Sequence, residues 1–346
     1  MINKLELSDA YSMIRKKHLD IFANEVYGEI PSVPSKIEAD KSIIEGNNYC
    51  CGHARLFEIT LNCILDNGRI FSFPFKLCLP RKEGKHKTVV LINFKYDVPD
   101  KYCPAEEIID RGWAFAALDY QKITSDCSTI DGLAEIYAPN RETGKISLWA
   151  WAVMRIMDYL QTRDDIDLAN IGVVGHSRLG KTALWVAAND ERFRFVHSND
   201  SGTAGAALYR ERNEKSESIR DICEMFPYWF NKTFPKYADM ENNMKFDQDM
   251  LVGCIAPRIV SIGSASEDLW ANPRAEMLCA KSASVMWELC GDQEKINIPD
   301  DAEIDVNYHE GKIGYYVRSG RHFLSRNDWN RFLDFFDKNL TDDKNH

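Results

Sequence analysis

Ser177 is the residue whose neighbours speak most directly of chemistry. It stands in Ile171-Gly-Val-Val-Gly-His-Ser-Arg-Leu-Gly-Lys-Thr182, where apolar residues rise to Gly175, a tight turn follows and a helix-forming run begins near Leu179. A hydroxyl at the apex of such a turn stands above a sheet and faces the N-terminus of the next helix, which suits a nucleophile attacking a carbonyl. The usual elbow is G-x-S-x-G; here Leu179 holds the second glycine's place and Gly180 comes one step later. Gly175 to Thr182 also satisfies the phosphate-loop pattern G-x-x-x-x-G-K-[ST], with Lys181 and Thr182 at a helix start. That chemistry needs an aspartate closing a later apolar strand. Asp200 is the nearest, but the strand before it, Phe193 to His197, carries Arg194 and His197. A P-loop nucleotide binder is the remote alternative.

A nucleophilic serine requires a base to take its proton and an acid to orient that base. His322, in Arg318-Ser-Gly-Arg-His322, falls just after the last strand candidate and before the final helix, where the base belongs. His309 precedes that strand and reads as a surface residue, His197 lies inside a strand, and His176 is expected to point elsewhere. Two acids compete. Asp200 follows the strand ending at His197, and Asp268, or its neighbour Glu267, follows the strand ending near Ile262. Asp268 is slightly favoured, because the acid usually follows the strand two before the end of the sheet.

These residues need a scaffold that lifts them to one edge. Arg55 to Pro80 holds two alternating runs around Asp66-Asn-Gly68, a strong hairpin signal. Thr88 to Asn93 and Trp113 to Leu118 are short continuous apolar runs, as strands buried on both faces should be. Helices are predicted over Pro104 to Arg111, Ile146 to Thr162 and Asp328 to Asn339. Further strands are predicted at Ile171 to Val174, Phe193 to His197, Ala256 to Ile262 and Gly314 to Val317. A hairpin followed by strands alternating with helices predicts an α/β-hydrolase fold: a mostly parallel central sheet, an antiparallel N-terminal hairpin and helices on both faces. Residues 1–50, with a helical start from Tyr11 to Val26 and a Pro-rich connector, read as an N-terminal helical extension packing on the core. Residues 51–346 read as a single catalytic domain.

Composition narrows the classes. In 346 residues, 45% hydrophobic and 11% aromatic content is ample for a large core. A formal charge of -10 disfavours nucleic acid and anionic membrane as partners. No apolar run approaches the roughly 20 residues of a membrane span. The N-terminus has no apolar signal core, which predicts a cytoplasmic location. The ten cysteines form no C-x-x-C pair and read as reduced, mostly buried thiols. No Cys/His/carboxylate group has metal-ligand spacing, so neither a metal nor an organic cofactor is expected. The oligomeric state is not encoded in any pattern here.

The chain resembles the glucuronoyl esterases, a carbohydrate esterase family with an α/β-hydrolase fold. Their elbow G-C-S-R-x-G-K is matched at Ser177, Arg178, Gly180 and Lys181, with His176 replacing the cysteine. Their acid motif E-S-G-x-G-G-A corresponds to Asp200-Ser-Gly-Thr-Ala-Gly-Ala206, the acid one methylene shorter. Pro227-Tyr-Trp-Phe230, Phe246-Asp-Gln-Asp249, Ala256-Pro-Arg258, Asp268-Leu-Trp-Ala-Asn-Pro273 and Gly320-Arg-His322 before Asp328-Trp329 continue the match in order. The resemblance implies a serine carboxylesterase with a Ser-His-Asp triad. It would act through an acyl-enzyme on glucuronoyl (4-O-methylglucuronate) esters of xylan-derived saccharides. It also implies that Arg178 assists the oxyanion and that Lys181, Glu217 and Trp270 contact the sugar. The alternatives are an ordinary core role for Trp270, solvated surface roles for Lys181 and Glu217, and a structural ion pair for Arg178. For the whole chain, deacetylation of acetylxylan or oligosaccharides is the rival activity, and a non-catalytic carbohydrate-binding homologue the rival outside enzymes.

Overall fold

The computed structural model describes residues 4–45, 48–291 and 296–342. Among these residues ten strands form one sheet: β1 (Lys36–Glu45), β2 (Ala54–Ile64), β3 (Ile70–Pro80), β4 (His86–Asn93), β5 (Ala114–Asp119), β6 (Ile166–His176), β7 (Phe195–Asn199), β8 (Ile259–Ala265), β9 (Asn307–Tyr308) and β10 (Ile313–Arg318). Their order is β1-β2-β3-β5-β4-β6-β7-β8-β10-β9. The run from β5 to β10 is parallel, and β1–β3 and β9 add antiparallel pairings at its two edges. The β2–β3 hairpin turns where Asp66-Asn-Gly predicted. Gly68 takes φ +76°, which a side chain would strain, and its N–H donates to Leu65 O at 2.8 Å.

The apolar strands are buried on both faces because their side chains alternate between two cores. Val90 and Ile92 of β4 join the core beneath the helices Lys145–Leu160 and Arg178–Asn189. Val89 and Leu91 join the opposite core with Ile108 and with Trp329, Phe332 and Phe336. Those partners come from the helices Ala105–Asp110 and Arg326–Asp342, so helices cover both faces.

The N-terminal segment departs from the expected helical extension. It is helical only to Tyr27, through the helix Lys4–Phe22 and a wide turn at Ala23–Tyr27; Lys36–Glu45 is a sheet strand paired with β2 along its length. Its alternation is weak because both faces of this edge strand are largely open to solvent, so no periodic burial marks it. Among the described residues no helix is long and apolar enough to cross a membrane.

Parallel strands end at the same edge, and the loops leaving their C-terminal ends gather there. The loops after β6, β7, β8 and β10 carry Ser177, Asp200, Asp268 and His322 in turn.

Candidate active site

The elbow owes its shape to packing that leaves no room for side chains. A Cβ on Gly175 would lie 1.9 Å from Leu179 O, so only glycine permits the chain to fold back there. Ser177 sits at φ +58°, a left-handed conformation rare for a residue with a side chain, at the N-cap position of the helix Arg178–Asn189 but with no side-chain capping bond. Its N–H donates to Asn199 O of β7 at 2.9 Å, which pins the strained apex to the sheet. The displaced glycine has a steric cause. Leu179 points into the core, whereas a Cβ on Gly180 would press on Ser198 and Ser201 at 3.0 Å.

Eight predicted site residues line a single cleft of about 310 Å³: Ser177, Arg178, Lys181, Asp200, Glu217, Asp268, Trp270 and His322. His322 Nδ1 lies 2.6 Å from Asp268 Oδ2. Asp268 is buried and the imidazole is half-exposed, so the acid is fixed while the ring faces the cleft. Asp200 is placed differently. Its Oδ2 accepts the Phe323 N–H at 3.3 Å and lies 3.7 Å from an Arg318 nitrogen, while its Oδ1 is buried without a hydrogen-bond partner. Burial, reinforced by Glu276, Asp268 and Asp328, pushes its carboxyl well above the usual range. Arg318 opposes that shift but is already engaged, its Nε donating to both carboxylate oxygens of Asp328.

His176 does not point elsewhere. Its ring centroid lies 4.4 Å from that of His322, and Tyr102 and Phe94 back it on other sides. Nδ1 lies 2.7 Å from Asn199 Oδ1, which fixes that nitrogen as the donor. Burial first, and the neighbouring His322 second, hold its pKa well below the ordinary histidine value, so a neutral ring supports the half-exposed one. His309, expected at the surface, is partly buried, its ring stacked on Phe335 at 4.4 Å.

Arg178 reaches Asp126 through a salt bridge, and its guanidinium lies over Trp229 at 4.7 Å and Phe226 at 5.4 Å. Asp126 also accepts from Trp229 Nε1 at 2.7 Å and Tyr120 OH at 2.6 Å. Nothing in the sequence marked Asp126, because its value lies in aromatic partners brought from distant elements. Lys181 is not a surface lysine. It is buried, and Nζ donates to Ser201 O at 2.5 Å and Thr203 O at 2.6 Å, with Glu217 at 3.5 Å. That leaves its ammonium committed to the β7 loop, unlike the free amine of a phosphate loop. Glu217 is also buried and accepts from Trp270 Nε1 at 3.2 Å, whereas the Trp270 ring is 46% exposed and not core.

Glu276 organises the loop between β7 and Lys181's partners. Its Oε1 accepts the N–H groups of Ser201 at 2.7 Å and Gly202 at 2.9 Å, and Oε2 accepts from Ser264 at 2.5 Å. Complete burial outweighs these bonds and pushes its carboxyl up from 4.5 to about 7. The folded state therefore holds this proton more tightly than the unfolded chain, a stabilisation complete below about 4.5 and lost as pH rises to about 7. Glu276→Gln, measured by denaturant midpoint against pH, flattens that part of the stability curve relative to the parent; superimposable slopes contradict it.

A family model, "Glucuronyl esterase, fungi", matches residues 63–291. A carbohydrate esterase from an unknown prokaryotic organism is 37% identical over 248 residues, covering 68% of this chain and 56% of its own length. The 4-O-methyl-glucuronoyl methylesterase of Podospora anserina is 28% identical over 165 residues, 45% of this chain and 34% of that protein. The chain thus spans about half or less of these curated relatives. Among solved structures, the glucuronoyl esterase from Solibacter usitatus superposes with a TM-score of 0.84 at 28% identity, covering 93% of this chain and 91% of that one.

Proposed function

The chain belongs to the glucuronyl esterase family, and from that premise we propose that it is a serine carboxylesterase cleaving 4-O-methylglucuronate esters of xylan-derived saccharides through an acyl-enzyme. The observation that carries this reading is the meeting, in one cleft, of a strained serine apex, an Asp268–His322 pair and a buried polar set beside an exposed tryptophan. Ser177 Oγ attacks the ester carbonyl as its proton passes to His322 Nε2, and Asp268 holds Nδ1–H and stabilises the imidazolium. The developing oxyanion is met by the Arg178 backbone N–H and by its guanidinium, which Asp126 and two aromatic faces hold in place. His322 then returns the proton to the departing alcohol, and water, activated by the same base, releases the uronic acid. Glu217 and the Trp270 ring supply a hydrogen-bond acceptor and an apolar face of the kind that suits a pyranose; Lys181 holds Glu217 and its loop.

The deciding measurement compares turnover of benzyl glucuronate with release of acetate from an acetylated xylo-oligosaccharide. The glucuronate ester is expected to be the better substrate by kcat/KM. A preference for the acetylated saccharide makes the chain a deacetylase, and turnover of neither, nor of a simple aryl acetate, leaves a carbohydrate-binding homologue. Arg178→Ala is expected to lower kcat about 10²–10³-fold, as loss of one oxyanion donor does. Its KM should stay close to the parent's; a change confined to KM assigns Arg178 to binding alone.

A further inference from the structure

We propose that Asp200, Asp268 and His322 form a binding site for one divalent transition-metal ion of the zinc class, and that its occupancy turns the esterase off. The inhibitory half rests on the proposed roles of these residues; the binding half does not. One donor atom from each of the three lies within 4.8 Å of the other two, although the residues come from three separate loops. Zinc bonds of about 2.0–2.2 Å in a tetrahedral arrangement place donors roughly 3.4 Å apart, so small side-chain rotations close the set.

A second observation points to a cation independently. Asp200 is 1% exposed, lines the cleft, and keeps Oδ1 without any hydrogen-bond donor. A buried carboxylate oxygen left unpaired is unfavourable, and a bound cation satisfies it. The nearby positive charge does not fill that place. Arg318 approaches the other oxygen of Asp200 and is neutralised by Asp328. Asp268 sets a second carboxylate beside Asp200. The half-exposed imidazole gives the ion an entry path and leaves a fourth position open to the cleft. One imidazole with two carboxylates suits zinc better than magnesium, which prefers oxygen ligands alone.

Inhibition follows from proton counting. A neutral imidazole has one ring proton, and here Asp268 holds it on Nδ1. A metal ligated through Nδ1 displaces that proton to Nε2, the nitrogen that must accept from Ser177. Ligation through Nε2 blocks the same nitrogen directly. Either way no base remains; a proton carried by Asp200 leaves to solvent as its oxygen takes the metal, and nothing is oxidised or reduced.

The test titrates the full chain with zinc chloride by calorimetry and, in parallel, follows hydrolysis of an aryl acetate. One zinc per chain is expected, with inhibition at the same midpoint, reversal by EDTA and no inhibition by magnesium chloride at that concentration. Asp200→Asn should raise the zinc midpoint more than about 100-fold, since even outer-shell partners of a ligand are worth about 10- to 100-fold. Replacing the exposed thiols of Cys51 and Cys127 with serine should leave the midpoint unchanged. If Asp200→Asn fails to fold, His322→Gln takes its place, read by the zinc-induced rise in Tm that it should abolish. Zinc binding that follows the thiols, or that survives these ligand substitutions, overturns the site. An active esterase indifferent to zinc refutes this inference and spares the proposed function. A chain that binds one zinc yet cleaves no ester refutes the proposed function and, with it, the inhibitory half, and spares the binding half.

Discussion

Ser177→Ala is expected to reduce ester cleavage by several orders of magnitude while the protein remains folded. The size follows from the interdependence of nucleophile, base and acid, where removing the nucleophile alone forfeits nearly the whole contribution of the set. The intact fold follows from local geometry. Ser177 makes no side-chain capping bond to the helix it precedes, so loss of Oγ removes no cap. Alanine inherits the same φ of +58° and the same backbone bond to Asn199 O, so the strain of the apex is unchanged. Circular dichroism and a melting curve matched to the parent, with turnover of benzyl glucuronate near background, is the expected pair of results. Near-normal turnover in that folded variant would end the serine-esterase reading.

The second large effect separates the two acids. Asp268→Asn should lower kcat by about 10⁴, the loss seen when an orienting acid becomes an amide and the imidazole adopts the wrong tautomer. Asp200→Asn should lower it far less. Asp268 holds His322 Nδ1 at 2.6 Å, whereas Asp200 faces the Phe323 N–H and Arg318. The raised pKa of Asp200 also favours its neutral form, which cannot stabilise an imidazolium as a carboxylate does. Pre-steady-state rates of acylation for both variants, at matched substrate, decide the matter. A greater loss in Asp200→Asn reverses the assignment. Losses of no more than about tenfold in each mean that the two share the role, and only the double variant then shows the full deficit.

Much of this arrangement is legible in the chain because it is written in local patterns. The buried strands announce themselves as continuous apolar runs, the β2–β3 turn as Asp66-Asn-Gly68, and the apex as Gly175 followed two residues later by Ser177. His322 is found from its position between the last strand and the last helix. Edge strand β1 is missed because it alternates too weakly to betray a buried face, whereas the helical reading of Tyr11 to Val26 falls within the helix Lys4–Phe22 and the wider helical turn that continues it to Tyr27. His176 is misjudged because sequence does not say which way a residue at a strand end turns. Here β6 continues through His176, and its side chain lands against His322 and Asn199.

Beyond what the family resemblance implies for Arg178, Lys181, Glu217 and Trp270, the sequence by itself determined the strand-to-helix apex, the parallel sheet that carries it and the places of Ser177, Asp200, Asp268 and His322 at its strand ends. These follow from steric limits on glycine, from hydrophobic periodicity and from the order of strand ends, all of which act over a few residues. Only the tertiary structure decided what each polar group does once it arrives. It separated Asp268, bonded to His322, from Asp200, buried with one oxygen unpaired. It committed Lys181 to two backbone carbonyls and gave Arg178 its partner in Asp126. It brought Glu276 beneath the β7 loop. The reason is physical: charge and hydrogen bonding at a buried site depend on ångström distances between loops dozens of residues apart, and no local pattern in the chain encodes those distances.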